Sequence, residues 1–404
     1  MFESIESFKI CSKITEELKT KIKLFNVFND YKGYNVLFAT TEDEVYGFGQ
    51  NYKSCCGLGH DSDVHRPQLI PELCYKSVKQ LFIGFNFYLA ITEENQLFGW
   101  GENDLGQLAT GKTSLFGVYL KPQLIAFPLI ETIVQISCGS VHCLALTSEG
   151  DVYGWGRNNL GQVGCGAGDG DVILRPTKLD YFSNSLIKYI YCLYESSFAI
   201  TNDGKVFSWG CNPSVDGFLG LELPRNEKVF TPKQIKFEDF QSISSICCSN
   251  TNTYFLTTKG LIYFCGKFID ENYYKFQTTP KLITTDIRFK SFHSTHDYMC
   301  GNMKSVPTVV NESSVFVFDF NEIKETNYKT FFDFYSIEYR MTYKTIDITE
   351  ESPEKGSTVK SMSYKRDFDE IQSLGSGGYG TVFKVRHKTS SKFYAIKKVH
   401  FSGK

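Results

Sequence analysis

One feature restricts the fold of this chain more than any other: a segment of about ten residues that returns every fifty-odd positions. It reads TTEDEVYGFG ending at Gly49, TEENQLFGWG at Gly101, TSEGDVYGWG at Gly156, TNDGKVFSWG at Gly210 and TTKGLIYFCG at Gly266. The spacings are 52, 55, 54 and 56 residues, and a decayed sixth copy, NESSVFVFD, ends 53 residues later at Asp319. Pro67, Pro122, Pro176, Pro232 and Pro280 follow the same rhythm and each is read as starting a short strand. A polar turn after the aromatic-glycine pair repeats as Asn103-Gly106-Gln107 and Asn158-Gly161-Gln162. Independent features on one period mark a true internal repeat, and such a period implies stacked or radial units.

Each unit reads as β-strands. Ser137–Thr147 alternates small and apolar residues, Glu149-Gly150 has the chemistry of a two-residue hairpin, and Asp151–Gly156 returns. A sheet of about fifty residues cannot bury both faces alone, so copies must pack on one another. Radial packing gives a β-propeller, which leaves few exposed edges. The expected fold is an all-β propeller of about six repeats over residues 25–320, with the aromatics Phe48, Trp100, Trp155 and Trp209 between blades.

Composition narrows the function. Forty-three basic residues against 45 acidic ones give a net charge of −2, which excludes a broad electrostatic footprint for nucleic acid or an anionic membrane. Apolar runs such as Tyr189–Tyr194 and Phe87–Ile91 are far below the roughly 20 residues of a spanning helix. The expectation is a soluble protein of the cytoplasm, with the nucleus as the alternative, and with no membrane or nucleic-acid partner. The 13 cysteines are odd in number and lack zinc-type spacing, so they are read as reduced packing residues, with no metal site. His142, between Cys138 and Cys143, is read in the same way, because its counterparts Asn35, Phe87, Ser196 and Asn252 share no ligand chemistry.

Beyond the repeats the pattern changes. Residues 321–348 are aromatic and β-prone, and 349–363 have linker composition. Residues 364–404 contain Gly375, Gly377 and Gly380 as G-x-G-x-x-G, between strand-like Phe368–Leu374 and Thr381–Arg386, with a third strand at Tyr394–Val399. A dinucleotide-binding turn must open a helix, and a P-loop needs Gly-Lys-Ser/Thr; neither follows here.

The repeat segments resemble those of the regulator of chromosome condensation family, whose Gly-aromatic-Gly, Asn-x-x-Gly-Gln-Leu-Gly and Pro pattern is nearly complete around Trp100 and Trp155. That resemblance implies a propeller, seven-bladed in the family against six units here. It also implies a protein ligand for the propeller, and in the founding member guanine-nucleotide exchange on a small GTPase. Residues 364–404 resemble the N-terminal part of a protein kinase domain, most like the kinases of initiation factor 2 alpha, through Gly377-Gly378-Tyr379-Gly380, Val382-Phe383-Lys384 and Tyr394-Ala395-Ile396-Lys397. The second resemblance implies a serine/threonine kinase with ATP as cofactor and a protein substrate such as initiation factor 2 alpha. Its nucleotide-binding set is Leu374, Gly375, Ser376, Gly377, Gly378, Tyr379, Gly380, Thr381, Val382, Ala395 and Lys397. Glycines would close over the phosphates, Val382 and Ala395 would flank adenine, and Lys397 would hold the α- and β-phosphates. The catalytic loop and the magnesium ligands are missing, so the expectation is an inactive fragment of a longer kinase, with Mg²⁺ bound only by the missing part. The alternative is a non-catalytic propeller scaffold or guanine-nucleotide exchange factor carrying a vestigial kinase start.

Overall fold

The computed structural model describes residues 9–30, 33–113, 117–128, 132–168, 170–183, 185–211, 217–223, 226–239, 242–248, 252–270, 273–283, 291–295, 306–310, 315–317, 368–377, 380–387 and 393–398. Residues 321–348 and the linker at 349–363 lie outside these. The chain divides into two compact units, Ser4–Ile323 and Lys324–Lys404, the second joined by Met1–Glu3.

The larger unit is a β-propeller. Its first sheet holds β1 (Ile22–Asp30), β2 (Gly33–Thr40), β3 (Val45–Gly49) and β4 (Val64–Leu69). The second holds β5 (Val78–Ile83), β6 (Phe87–Thr92), β7 (Leu97–Glu102) and β8 (Val118–Ile125). The third holds β9 (Ile133–Cys138), β10 (His142–Thr147), β11 (Val152–Arg157) and β12 (Val172–Lys178). The fourth holds β13 (Ile187–Leu193), β14 (Ser196–Thr201), β15 (Val206–Cys211) and β16 (Lys228–Gln234). The fifth holds β17 (Ile243–Cys248), β18 (Asn252–Thr257), β19 (Ile262–Asp270) and β20 (Tyr273–Ile283). A three-stranded sheet follows, β21 (Ser291–Thr295), β22 (Val306–Val310) and β23 (Val315–Val317). Helix is confined to one short turn, α1 (Glu16–Thr20), and three 3₁₀ segments among the described residues.

Each sheet is an antiparallel meander, and the first strands of successive sheets touch one another, which places them innermost. Burial follows this order. Strands β6, β10, β14 and β18 are buried at every residue, so their polar members, among them His142, Ser197 and Thr253, must find hydrogen-bond partners inside the fold. The fourth strands are largely exposed, carrying Arg66, Lys121, Arg175 and Lys233 on their outer edge. Charged and proline-bearing edges resist pairing with another chain.

Two local readings of the sequence are corrected. Ser137–Thr147 is not one strand: β9 ends at Cys138 and β10 begins at His142. The turn falls at Gly139 because a Cβ there would lie 2.3 Å from the His142 ring. The repeated prolines do not start strands either; they lie inside β4, β8, β12, β16 and β20. In all five the register against the third strand slips beside the proline. An edge strand with a bulge tolerates a residue that has no N–H to give.

The smaller unit contains a three-stranded antiparallel sheet, β24 (Phe368–Gly377), β25 (Gly380–His387) and β26 (Phe393–Lys398).

Candidate partner-binding face

The repeated residues build the frame that holds this face. In the second to fourth blades the tryptophan before the closing glycine donates its indole N–H to a backbone carbonyl of the preceding blade's long loop. Trp100 reaches Cys55 at 3.0 Å, Trp155 reaches Gln107 at 2.9 Å and Trp209 reaches Gln162 at 3.1 Å. A second donor from the facing strand joins the same carbonyl: Ser197 Oγ bonds Gln162 O at 2.7 Å, and Cys143 Sγ lies 4.0 Å from Gln107 O. In the fifth blade Thr253 and Cys265 take both roles toward Phe218 O. The aromatics Trp100, Trp155 and Trp209 therefore bridge blades, as the repeat implied. Phe48 has no N–H to give and packs instead with Cys11, Ile14 and Val64.

The long loops are pinned by the asparagines of the polar turn. Asn103 Oδ1 accepts from Leu108 N at 2.9 Å and its Nδ2 donates to Lys112 O at 2.9 Å; Asn158 does the same with Val163 N and Gly166 O. At the opposite end of each blade the threonine that opens the repeated segment accepts a backbone N–H four residues on. Thr40, Thr92, Thr147, Thr201 and Thr257 all do so, between 2.9 and 3.2 Å. That role went unread in the sequence, although the threonine heads the five full copies.

These threonine hairpins share one end of the blades with the connections that lead from each fourth strand to the next blade. Backbone bonds tie them together: Glu93 N to Ser77 O, Ser148 N to Thr132 O, Asn202 N to Leu186 O and Thr258 N to Ser242 O. Large apolar side chains are exposed at this end, with Tyr75 at 75%, Leu186 at 62% and Tyr181 at 52%. Tyr181 and Leu186 border an open cleft of about 600 Å³ whose wall includes Phe207, Asn202, Asp203 and Lys205. Tyr181, Phe182 and Phe207 pack edge to face, which holds the Tyr181 ring in place at the cleft. Asp203 pairs with Lys205 at 2.7 Å and accepts the Thr201 hydroxyl, and these bonds hold its carboxyl below the usual range. The hairpin tips are acidic in four blades, with exposed Glu42, Glu93, Glu94, Glu149 and Asp203. The cleft thus sets apolar Tyr181, Leu186 and Phe207 beside the charged Asp203 and Lys205 and the hydroxyls of Ser185 and Thr201, the mixture common in protein-recognition surfaces.

His142 is fully buried. Its Nε2 lies 2.8 Å from Ser197 Oγ, which already donates to Gln162 O, so Nε2 carries the proton and Nδ1 is left without a partner. Burial pulls its pKa down to about 3. Among the described residues no cluster of three or more His, Cys, Asp or Glu side chains could hold a metal. No two of the twelve described cysteines are joined by a disulfide, and ten are buried.

Of the nucleotide-binding set, Leu374–Gly377 end β24, Gly380–Val382 begin β25, and Ala395 and Lys397 lie on β26. Gly377 pairs with Gly380, Gly375 and Lys397 both pair with Val382, and Ala395 pairs with Lys384. Gly378 and Tyr379 lie outside the described residues.

Comparison with known proteins places the repeats in a family. The model of the Regulator of chromosome condensation (RCC1) repeat matches residues 42–91, 94–146, 149–200 and 203–256, just over half of the chain. A second model of the same repeat matches 78–107 and 133–162. The fold and its inter-blade bonds define a β-propeller of this type. The chain belongs to the RCC1 repeat family. It is 29% identical to the Ultraviolet-B receptor UVR8 of Arabidopsis thaliana over 231 residues, 57% of this chain and 50% of that protein. It is 32% identical to the human E3 ubiquitin-protein ligase HERC2 over 253 residues, 61% of this chain and 5% of that protein. The chain thus spans half of the first relative and a small part of the second. Among solved structures, Prp20p from Saccharomyces cerevisiae, described with its binding properties to Gsp1p and histones, aligns with a TM-score of 0.57 at 21% identity over 77% of this chain and 76% of that one.

The assignment as a protein serine/threonine kinase is corrected by these matches. Both family models match the propeller repeats, and the solved structure of Prp20p shares the propeller fold, so the chain is mostly propeller. The physical reason is that a glycine hairpin between strands is a backbone solution open to any tight turn over a sheet. The string fixes a hairpin, and a hairpin alone does not transfer phosphate. No helix among the described residues is long and apolar enough to cross a membrane.

Proposed function

We propose that this protein is a non-catalytic scaffold whose propeller binds a protein partner through the threonine-hairpin end of the third and fourth blades. The observation that carries the reading is the exposed pair Tyr181 and Leu186 at a cleft where Tyr181 packs edge to face on Phe182 and Phe207, beside acidic hairpin tips. A partner that inserts an apolar side chain flanked by basic residues matches this chemistry. The binding of Gsp1p and histones by Prp20p supports a protein partner by analogy of fold. Guanine-nucleotide exchange is the narrower form of the proposal, and accelerated release of labelled GDP from a captured GTPase is its readout.

The test compares proteins retained from a cell extract by the wild-type chain, by Leu186→Asp and by the rim control Leu124→Asp. The partner bound by wild type and by the control is expected to fall by about tenfold or more with Leu186→Asp, the loss of roughly 1.4 kcal/mol or more. Equal retention by all three would remove the face from the account.

ATP is proposed separately for the glycine hairpin of β24 and β25, supported by the pairing of Lys397 with Val382 at its base. Titration with a fluorescent ATP analogue should show saturable binding that Lys397→Met weakens. Binding equal in both, or none in either, would withdraw the cofactor.

A further inference from the structure

We propose that Cys138 and Cys143 form a redox-modification site, a cross-strand dithiol that a peroxide converts to a disulfide. The two sulfurs are 3.6 Å apart, and the residues are direct partners in the β9–β10 register. Gly139 N donates to His142 O at 2.9 Å, so that pair is hydrogen-bonded and the next one, Cys138 with Cys143, is not. Non-hydrogen-bonded antiparallel pairs bring Cα atoms to about 4.5 Å, within the disulfide range of roughly 4.4–6.8 Å. Only side-chain rotation is then needed to close the sulfurs to about 2.05 Å.

The other blades show that this pairing is particular to the third. The position of Cys138 is occupied by Ile83, Cys192 and Cys248, which face Tyr88, Ser197 and Thr253. A thiol faces a thiol only in the third blade among the described hairpins of this type.

The two sulfurs differ in access, which sets the order of events. Cys138 is partly exposed, whereas Cys143 is fully buried and burial pushes its thiol well above the ordinary range. Peroxide therefore reacts at Cys138: its sulfur takes one oxygen, the O–O bond breaks, and water or an alcohol leaves, giving the sulfenic acid. Cys143 sulfur then attacks that sulfur. The S–O bond breaks as the S–S bond forms, and the departing hydroxide leaves as water with the Cys143 proton. The peroxide is reduced and the two thiols are oxidised, with no other reactant. Closure would draw Cys143 Sγ from Gln107 O, the carbonyl that also receives the Trp155 indole, so the modification acts on the junction between the second and third blades.

The experiment treats the full chain with hydrogen peroxide, denatures and alkylates it, and maps tryptic peptides. Lys121 precedes Pro122, so both cysteines fall in one peptide, 113–157, which holds no other cysteine. That peptide is expected lighter by two hydrogens and unalkylated, restored by dithiothreitol, and unchanged in this behaviour by Cys192→Ala. In Cys138→Ser, Cys143 should stay a thiol and be alkylated. Alkylation of both cysteines in treated wild type, a sulfinic acid at Cys138 beside an alkylated Cys143, or a bridge from Cys138 to Cys192 would each overturn the proposal.

Discussion

His142 shows what one buried side chain costs. Its ring sits where two other blades carry asparagine and one carries serine, with Nδ1 unpartnered in the core. Burial holds its pKa near 3 against an ordinary 6.5. Below about pH 6.5 the unfolded chain takes up a proton that the folded chain refuses, so stability falls as pH drops, until about pH 3 where both states are protonated. The slope within that window is roughly 1.4 kcal/mol per pH unit from this group alone. Urea unfolding at pH 7 and pH 4.5 should show this loss in wild type and a smaller one in His142→Asn; the same acid loss in both would assign the effect elsewhere. Comparison with Asn35, Phe87, Ser196 and Asn252 reads His142 as a packing residue, but its bond to Ser197 crosses between blades and has no local signature. Cleft residues Tyr181 and Leu186 were missed for a similar reason: they lie in a connection outside every repeated segment.

At the scale of elements, blade junctions are the unit of stability. Trp155 and Trp209 occupy the same register position, yet their junctions are not equivalent. Gln162 O keeps the Ser197 hydroxyl if Trp209 is lost, while Gln107 O keeps only the long contact from the Cys143 thiol. Trp155→Phe should therefore cost about 1–3 kcal/mol for the orphaned carbonyl, and Trp209→Phe less, since a buried acceptor without a donor carries the full desolvation penalty. Denaturant midpoints of the two variants measure the difference; equal losses would show that indole volume matters and the hydrogen bond does not. The elements were legible where local chemistry decides them. Tight hairpins at Gly150, Gly204 and Gly260 stand out because φ there is +86, +81 and +77. In the first two copies Asp43 and Asn95 take the left-handed turn instead, at +63 and +64. The prolines misled because their place on a bulged edge depends on the neighbouring strand.

For the whole molecule, the period of the repeat was sufficient to imply a propeller, because radial packing is how small sheets with two apolar faces find partners. Function was less legible. The glycine string of residues 375–380 carries a strong local signal, while a recognition face has no string of its own. It arises from connections and hairpin tips that come together only when the blades assemble. Five blades present the same threonine hairpin, but only the connection ending β12 and opening β13 places Tyr181 and Leu186 beside Phe207. Under the proposed function, this end of the third and fourth blades binds the partner. Hydrogen–deuterium exchange of the full chain, with and without the partner it retains, tests it most directly. Slowed exchange is expected in residues 179–186 and 201–207 on binding, with the fourth strands at 64–69 and 118–125 unchanged. Protection confined to those outer strands, or to the hairpin of β24 and β25, would contradict it.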